Sequence, residues 1–295
     1  MIRRLVILVS GILLIACSQQ EKSSLTLKGN AIYYWKVAFA LDSTERAFLK
    51  AHDISRMYCR YFDVVMRPAA ETGRHEPMPN ATIIFNEPIP DSIEVVPTVF
   101  IMNDCMQHHP DSLAQRIVRR ITQMNETNDI KGVREIQIDC DYTMRNRDIY
   151  YRFLQEVQAS ARQQGLALSV TIRLHQLPMP APPADYGVLM LYNTGAPERF
   201  ADRNPILDMR DVQPYLKHLH DYPLPLAAAY PVFLWQRTIH GVHIDHAADF
   251  DEIMLTKQAA EKEREDLHQL ILTYHLDTDN IERYTSEQYE KIYHH

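Results

Sequence analysis

Glycine is scarce, with 8 in 295 residues, and none of the eight builds a Gly-rich phosphate loop or a dinucleotide fingerprint. No Gly-x-Ser-x-Gly elbow is present either, which argues against a serine hydrolase of that kind. Cysteine is sparse as well. Of the four, only Cys59, Cys105 and Cys140 lie beyond the N-terminal region, and an odd number at wide spacing makes no disulfide framework. These three read as buried small hydrophobes. Basic residues are in the minority, at 31 Lys and Arg against 38 Asp and Glu, a formal charge of −7. Losing Arg3 and Arg4 with a cleaved leader takes the charge to −9. Neutralising phosphates needs a basic face, so no nucleic acid partner is expected. There is no internal repeat at solenoid periods. What is present is ample apolar content, 46%, and 17 prolines that fall mostly between elements.

At the N-terminus, Arg3 and Arg4 precede the apolar run Leu5 to Ile15, which has the length of a signal peptide and is short for a membrane span. Leu14-Ile15-Ala16-Cys17, followed by Ser18-Gln19-Gln20-Glu21, resembles the bacterial lipoprotein lipobox. That resemblance implies cleavage before Cys17, lipidation of its sulfur, and a chain held at a bacterial membrane, facing the periplasm or the surface. Several acyl chains anchor stably where one holds only marginally. The polar stretch from Ser18 to Lys28 reads as a flexible tether. The expected organisation is a signal peptide over 1–16, a lipidated tether over 17–28 and one domain over 29–295.

Within that domain, strand-like and helix-like segments alternate, the pattern of a parallel sheet. Strands are expected at Ala31–Phe39, Arg56–Val65, Val95–Met102, Val133–Ile138, Leu168–Leu174, Gly187–Tyr192, Leu226–Trp235 and, with the weakest pattern, Leu270–Tyr274. Ala81–Phe85 reads as a short extra strand and Pro68–Asn80 as a loop. Helices are expected at Ser43–His52, Asp111–Met124, Asn146–Gln164, Asp211–Leu219 and Phe250–Leu270, the last with a charged, solvated face over Lys257–Asp266. The strands are nearly continuous apolar runs, as in sheets covered on both faces. The fold class is therefore α/β: a (β/α)8 TIM-type barrel, irregular if anywhere near its last strand.

The chemistry concentrates at strand ends. Gly132–Thr143 delivers Asp139 and Asp141, two apart and so expected on one strand face, at the C-terminal end where barrel enzymes keep their reactive groups. Either the pair is an acid–base couple, or one acid caps a helix and the other makes an ion pair. Asp63 and Asp104 end two other strands and are candidate partners. Arg173 and His175 share a face on the fifth strand. His175 suits acid, base or sugar hydrogen-bonding roles. Trp35, Tyr33, Tyr192, Asn193 and Trp235 sit at or near strand ends, where aromatic faces stack on sugar rings when they are not core. His240, His243 and His246 with Asp245 lack the spacing of a metal site and read as a solvated loop. Neither a metal nor a cofactor is called for.

Taken in order, these strand ends resemble those of chitinase-like glycoside hydrolases. That family carries Asp-x-x-Asp-x-Asp-x-Glu on its fourth strand. Asp139 and Asp141 match its second and third aspartates, with Ile136 at the first and Thr143 where the catalytic glutamate stands. Met190-Leu191-Tyr192-Asn193 resembles the family's Met-x-Tyr-Asp, with Asn for Asp, and Ala229-Tyr230-Pro231 loosely resembles its seventh-strand motif. The chain is also similar to a group of bacterial lipoproteins of Bacteroidetes type. Tyr34-Trp35-Lys36, Arg60-Tyr61-Phe62-Asp63-Val64, Gln137-Ile138-Asp139-Cys140-Asp141, Thr171-Ile172-Arg173-Leu174-His175-Gln176 and Tyr222-Pro223-Leu224-Pro225-Leu226 carry this likeness. It implies fold and compartment but brings no activity. Two functions follow as expectations: a glycoside hydrolase on an envelope or extracellular polysaccharide, with Asp141 as leading acid, or a non-catalytic glycan-binding or structural envelope lipoprotein that kept the barrel and lost the catalytic acid.

Overall fold

A computed structural model describes residues 27–70, 73–195, 203–239 and 242–294. In chain order the strands are β1 (Gly29–Tyr34), β2 (Ala38–Phe39), β3 (Ile54–Pro68), β4 (His75–Asn80), β5 (Ile84–Phe85), β6 (Glu94–Ile101), β7 (Glu135–Cys140), β8 (Ala167–Arg173), β9 (Tyr186–Met190), β10 (Leu226–Pro231), β11 (Leu234–Ile239), β12 (Val242–Ala247) and β13 (Leu270–Tyr274). The helices are α1 (Ser43–Ala51), α2 (Leu113–Thr127), α3 (Arg147–Gln163), α4 (Met209–Leu216), α5 (Phe250–Glu263), α6 (Thr278–Ile281) and α7 (Ser286–Tyr293). β1, β3, β6, β7, β8, β9, β10 and β13 are parallel neighbours, and β1 pairs with both β13 and β3, so the eight close into the expected barrel.

Most departures from the sequence reading have a local cause. The first strand stops at Tyr34, and Ala38–Phe39 pairs separately with Ile84–Phe85. Pro68–Asn80 is not a loop throughout: its second half is β4, antiparallel to an extended β3. Pro77 and Pro79 mask it in the sequence, yet prolines are tolerated on an edge strand. The seventh barrel strand stops at Pro231, and Trp235 belongs to the β11–β12 hairpin. That hairpin makes 242–247 a strand, where a histidine-bearing loop was expected. The Lys257–Asp266 face is not wholly solvated, because Lys257 is buried against Glu261. The regular β/α alternation lapses at two connections: among the described residues, β3 to β6 carries β4 and β5 and no helix, and β8 to β9 carries only a 3-10 turn, Leu174–Gln176. The last strand, by contrast, is fully paired.

Inside the barrel the inward positions of β7 are Glu135, Gln137 and Asp139, and those of β8 are Ser169, Thr171 and Arg173. All but Arg173 are buried. Buried polar groups need partners, and these bond mainly to one another and to inward tyrosines. At the N-terminal end, Ser169 and Tyr186 both donate to Glu135, Tyr186 at 2.6 Å, and the Tyr58 hydroxyl bonds that of Tyr186. One level up, Tyr33 donates to Gln137 at 2.9 Å, and Gln137 donates to Ser169 at 3.4 Å.

Burial pushes the Glu135 carboxyl up to about 7, against the lowering pull of Ser169, Tyr186 and Arg56. An acid raised on folding binds its proton more tightly in the native state. Its stabilisation is full below its unfolded value near 4.5, declines as pH rises, and is gone once pH passes about 7. At 1.36 kcal/mol per pH unit, that loss amounts to about 3 kcal/mol. Denaturant unfolding across pH 4.5 to 8 will show this decline in the wild type and a flatter profile in Glu135→Gln.

Candidate functional site

The barrel's C-terminal end is built on an ion pair between neighbouring strands. Asp139 is buried. Its Oδ1 accepts from Thr171 Oγ1 at 2.6 Å and from Arg173 Nη2 at 3.0 Å. Burial opposes the charge on Arg173, but Asp139, with Tyr192, Asp141 and Tyr33, more than offsets it and raises the guanidinium above its ordinary range. A second pair, Arg60 and Asp63, lies beside it, with Nε to Oδ1 at 2.7 Å. Strict alternation would put residues three apart on opposite faces. A register shift in the β3–β6 pairing between Arg60 and Phe62 adds a residue and turns both inward.

Aromatic rings line the mouth above these charges. Trp35 packs edge-on to Tyr33 at 5.9 Å and lies 5.6 Å from Tyr274, and the Arg60 guanidinium sits 5.6 Å from its ring centre. Tyr274 stacks on Tyr192 at 5.2 Å, Phe233 meets both edge-on, and Trp235 follows Phe233 at 6.3 Å. Burial raises the hydroxyls of Tyr33, Tyr192 and Tyr274, with Asp139 adding to each. The buried Tyr192 hydroxyl has no hydrogen-bond partner among the described residues.

Asp63, Asp139, Arg173, Tyr192, Trp35 and Trp235 therefore converge on one end of the barrel, as the strand-end reading requires. The two aspartates of the fourth strand part company, however. Cys140 closes the strand, and Asp141, the next residue, is 60% exposed on the rim, with its Oδ1 3.6 Å from His175 Nε2. Thr143 lies further out, its backbone N–H donating to Asn146 Oδ1 in the turn before α3. The residue at the lip, where the fourth strand hands over to the rim, is thus Asp141 and not Thr143. Asp104 is exposed in the 3-10 turn Asn103–Met106, and Asn193 is exposed with a left-handed φ of 53°. Neither has a described contact with the paired charges. Cys17 and His240 fall outside the described residues, as does the side chain of His243. Tyr274, Phe233 and Arg60 were missed by the strand-end reading. Tyr274 closes the weakest strand, Phe233 hides inside an over-long one, and Arg60 needs the bulge. A cleft of about 690 Å³ lined by Leu49, Lys50, Ile54 and Ile93 opens at the opposite end of the barrel, and none of its lining residues belongs to the mouth.

No protein-family model matches this sequence, and no curated protein does. Solved structures do match in fold. A chitinase from Chromobacterium violaceum superposes with a TM-score of 0.56 at 12% identity, over 90% of this chain and 98% of its own. A chitinase from Bacteroides thetaiotaomicron gives 0.56 at 11%, over 90% and 96%. The spore cortex-lytic enzyme SleL of Bacillus cereus gives 0.56 at 13%, over 90% and 73%. The chain has the barrel fold of chitinase-like glycoside hydrolases. At these identities the likeness concerns fold alone.

The different settings of the two aspartates separate their expected mutational effects. Asp139→Asn leaves Arg173 unmatched in a largely buried place and is expected to cost about 3 kcal/mol of stability. Asp141→Asn breaks an exposed contact and is expected to cost under about 1 kcal/mol. Paired urea melts check both values.

Proposed function

We propose that this chain is a glycoside hydrolase acting on an envelope or extracellular polysaccharide. The observation that carries the reading is the mouth itself. The Trp35, Tyr274 and Tyr192 rings pack in series at the end of the barrel that holds the Asp139–Arg173 pair, and the Tyr192 hydroxyl there is buried without a partner among the described residues. Sugar rings combine apolar faces with hydroxyl edges, so aromatic surface next to free polar groups suits them. The exposed Asp141–His175 pair at the lip supplies acid–base groups within reach of a ligand held there. The barrel is one that two chitinases and a cortex-lytic enzyme also have, so the fold is compatible with this reading without deciding it.

The experiment is a panel of chitin oligomers, peptidoglycan fragments and envelope polysaccharides, assayed for binding and for release of reducing ends. Wild type is expected to cut at least one. Asp141→Asn is expected to keep its affinity for that glycan and to lose turnover by roughly 10²-fold or more. One observation favours a second reading, a barrel that binds glycan without cutting: Asp139 is committed to Arg173 and Thr171. On that reading both proteins bind and neither releases ends.

For its location, we propose that Cys17 is acylated and that residues 18–28 tether the barrel to a bacterial membrane. The lipobox-like Leu14–Cys17 supports this. Cys17→Ser is expected to move the protein from the membrane fraction to the soluble one. Unchanged fractionation with lipid label retained would contradict it.

A further inference from the structure

The structure assigns the proton donor of this site to His175, with Asp141 as its positioning partner and Gln176 as the brace that makes them face each other. This rests on the hydrolase reading above. Asp139 cannot be the donor to a ligand at the lip: it is buried, and its Oδ1 already takes hydrogen bonds from Thr171 and Arg173. Asp141 is exposed, and the charged groups facing it are His175, at 3.6 Å, and Arg173. It is placed to pair with these two basic side chains.

The imidazole is oriented by more than this one contact. Its Nε2 lies 3.3 Å from the Tyr142 carbonyl, which can only accept, so Nε2 carries a hydrogen there. The other ring nitrogen, Nδ1, has no hydrogen-bond partner among the described residues, and His175 is 43% exposed, so Nδ1 is the nitrogen free to meet a ligand. The two chain segments involved are fixed to each other by Gln176, which is fully buried. Its Oε1 accepts from the Arg173 backbone N–H at 2.8 Å, and its Nε2 donates to the carbonyls of Tyr142 at 3.0 Å and Cys140 at 3.4 Å. One buried amide thus ties the turn after β8 to the end of β7, and His175 and Asp141 sit on either side of that tie. A chance surface ion pair has no such support.

In the step this permits, the imidazolium gives its Nδ1 proton to the glycosidic oxygen as the bond from the anomeric carbon to that oxygen breaks. The Nε2 hydrogen stays on the Tyr142 carbonyl, and Asp141 balances the charge on the ring before transfer. Water then adds its oxygen to the anomeric carbon and returns a proton to Nδ1. The sum is one water consumed and two hydroxyls formed, with the histidine restored.

The test compares chitotetraose, whose leaving group needs protonation, with the dinitrophenyl glycoside of chitobiose, whose leaving group does not. His175→Ala is expected to lose roughly 10²- to 10⁴-fold in kcat on the first and under about tenfold on the second, with part of the loss recovered by added imidazole. Gln176→Leu is expected to lower kcat on chitotetraose with little change in KM, and imidazole is expected not to rescue it. Equal losses of His175→Ala on both substrates, or full activity on both, would overturn the assignment while leaving the hydrolase reading standing. A folded wild type inactive on the whole glycan panel would overturn both.

Discussion

Two opposite charges held inside a barrel fix the layout of this molecule. Arg173 and Asp139 sit on adjacent parallel strands, largely out of water, and an unpaired charge there would cost several kcal/mol. Their pairing demands a third partner for the carboxylate, which Thr171 provides, and a polar column beneath. That column continues through Gln137 and Ser169 to Glu135, so two neighbouring strands present an unbroken polar face to the interior. An interior of this kind specifies register strongly. Slipping β7 by one residue would turn Glu135, Gln137 and Asp139 outward into the apolar layer against the helices.

The barrel was legible in the sequence because most of its strands, β7 and β8 apart, are apolar on both sides and its helices are periodic. At α1 the cap is Asp42, which forms a reciprocal capping box with Glu45, where the sequence alone suggests Ser43 or Thr44. The convergence of Asp63, Asp139, Arg173 and Tyr192 was legible too, since strand ends of a parallel barrel meet at one rim. What alternation alone could not reveal depends on breaks in alternation. The bulge near Phe62 brings Arg60 to Asp63. The end of β7 at Cys140 lifts Asp141 out to solvent, and the prolines of β4 disguise a strand. Buried Glu135 and Gln176 were invisible for another reason: nothing in a sequence says that an acid or amide will be enclosed until the partners that satisfy it are known.

The split between Asp139 and Asp141 changes how the site is understood. Two carboxylates on one face would compete for a proton. Instead, one is spent on structure and the other stands at the lip beside a histidine. On the proposed reading, the charged floor, the aromatic rings and the exposed acid–base pair would divide the work of holding, orienting and protonating a sugar. A buried pair below the rim would keep the charged floor fixed while such a rim exchanged ligand and water.

The central claim is that the C-terminal mouth is where glycan binds. The most direct measurement is amide chemical-shift mapping with a bound oligosaccharide. The account predicts shifts concentrated at residues 33–35, 190–193, 233–235 and 273–275, with the cleft around Leu49 and Ile93 silent. Saturable binding whose shifts fall at that cleft, or anywhere away from the mouth, would contradict it.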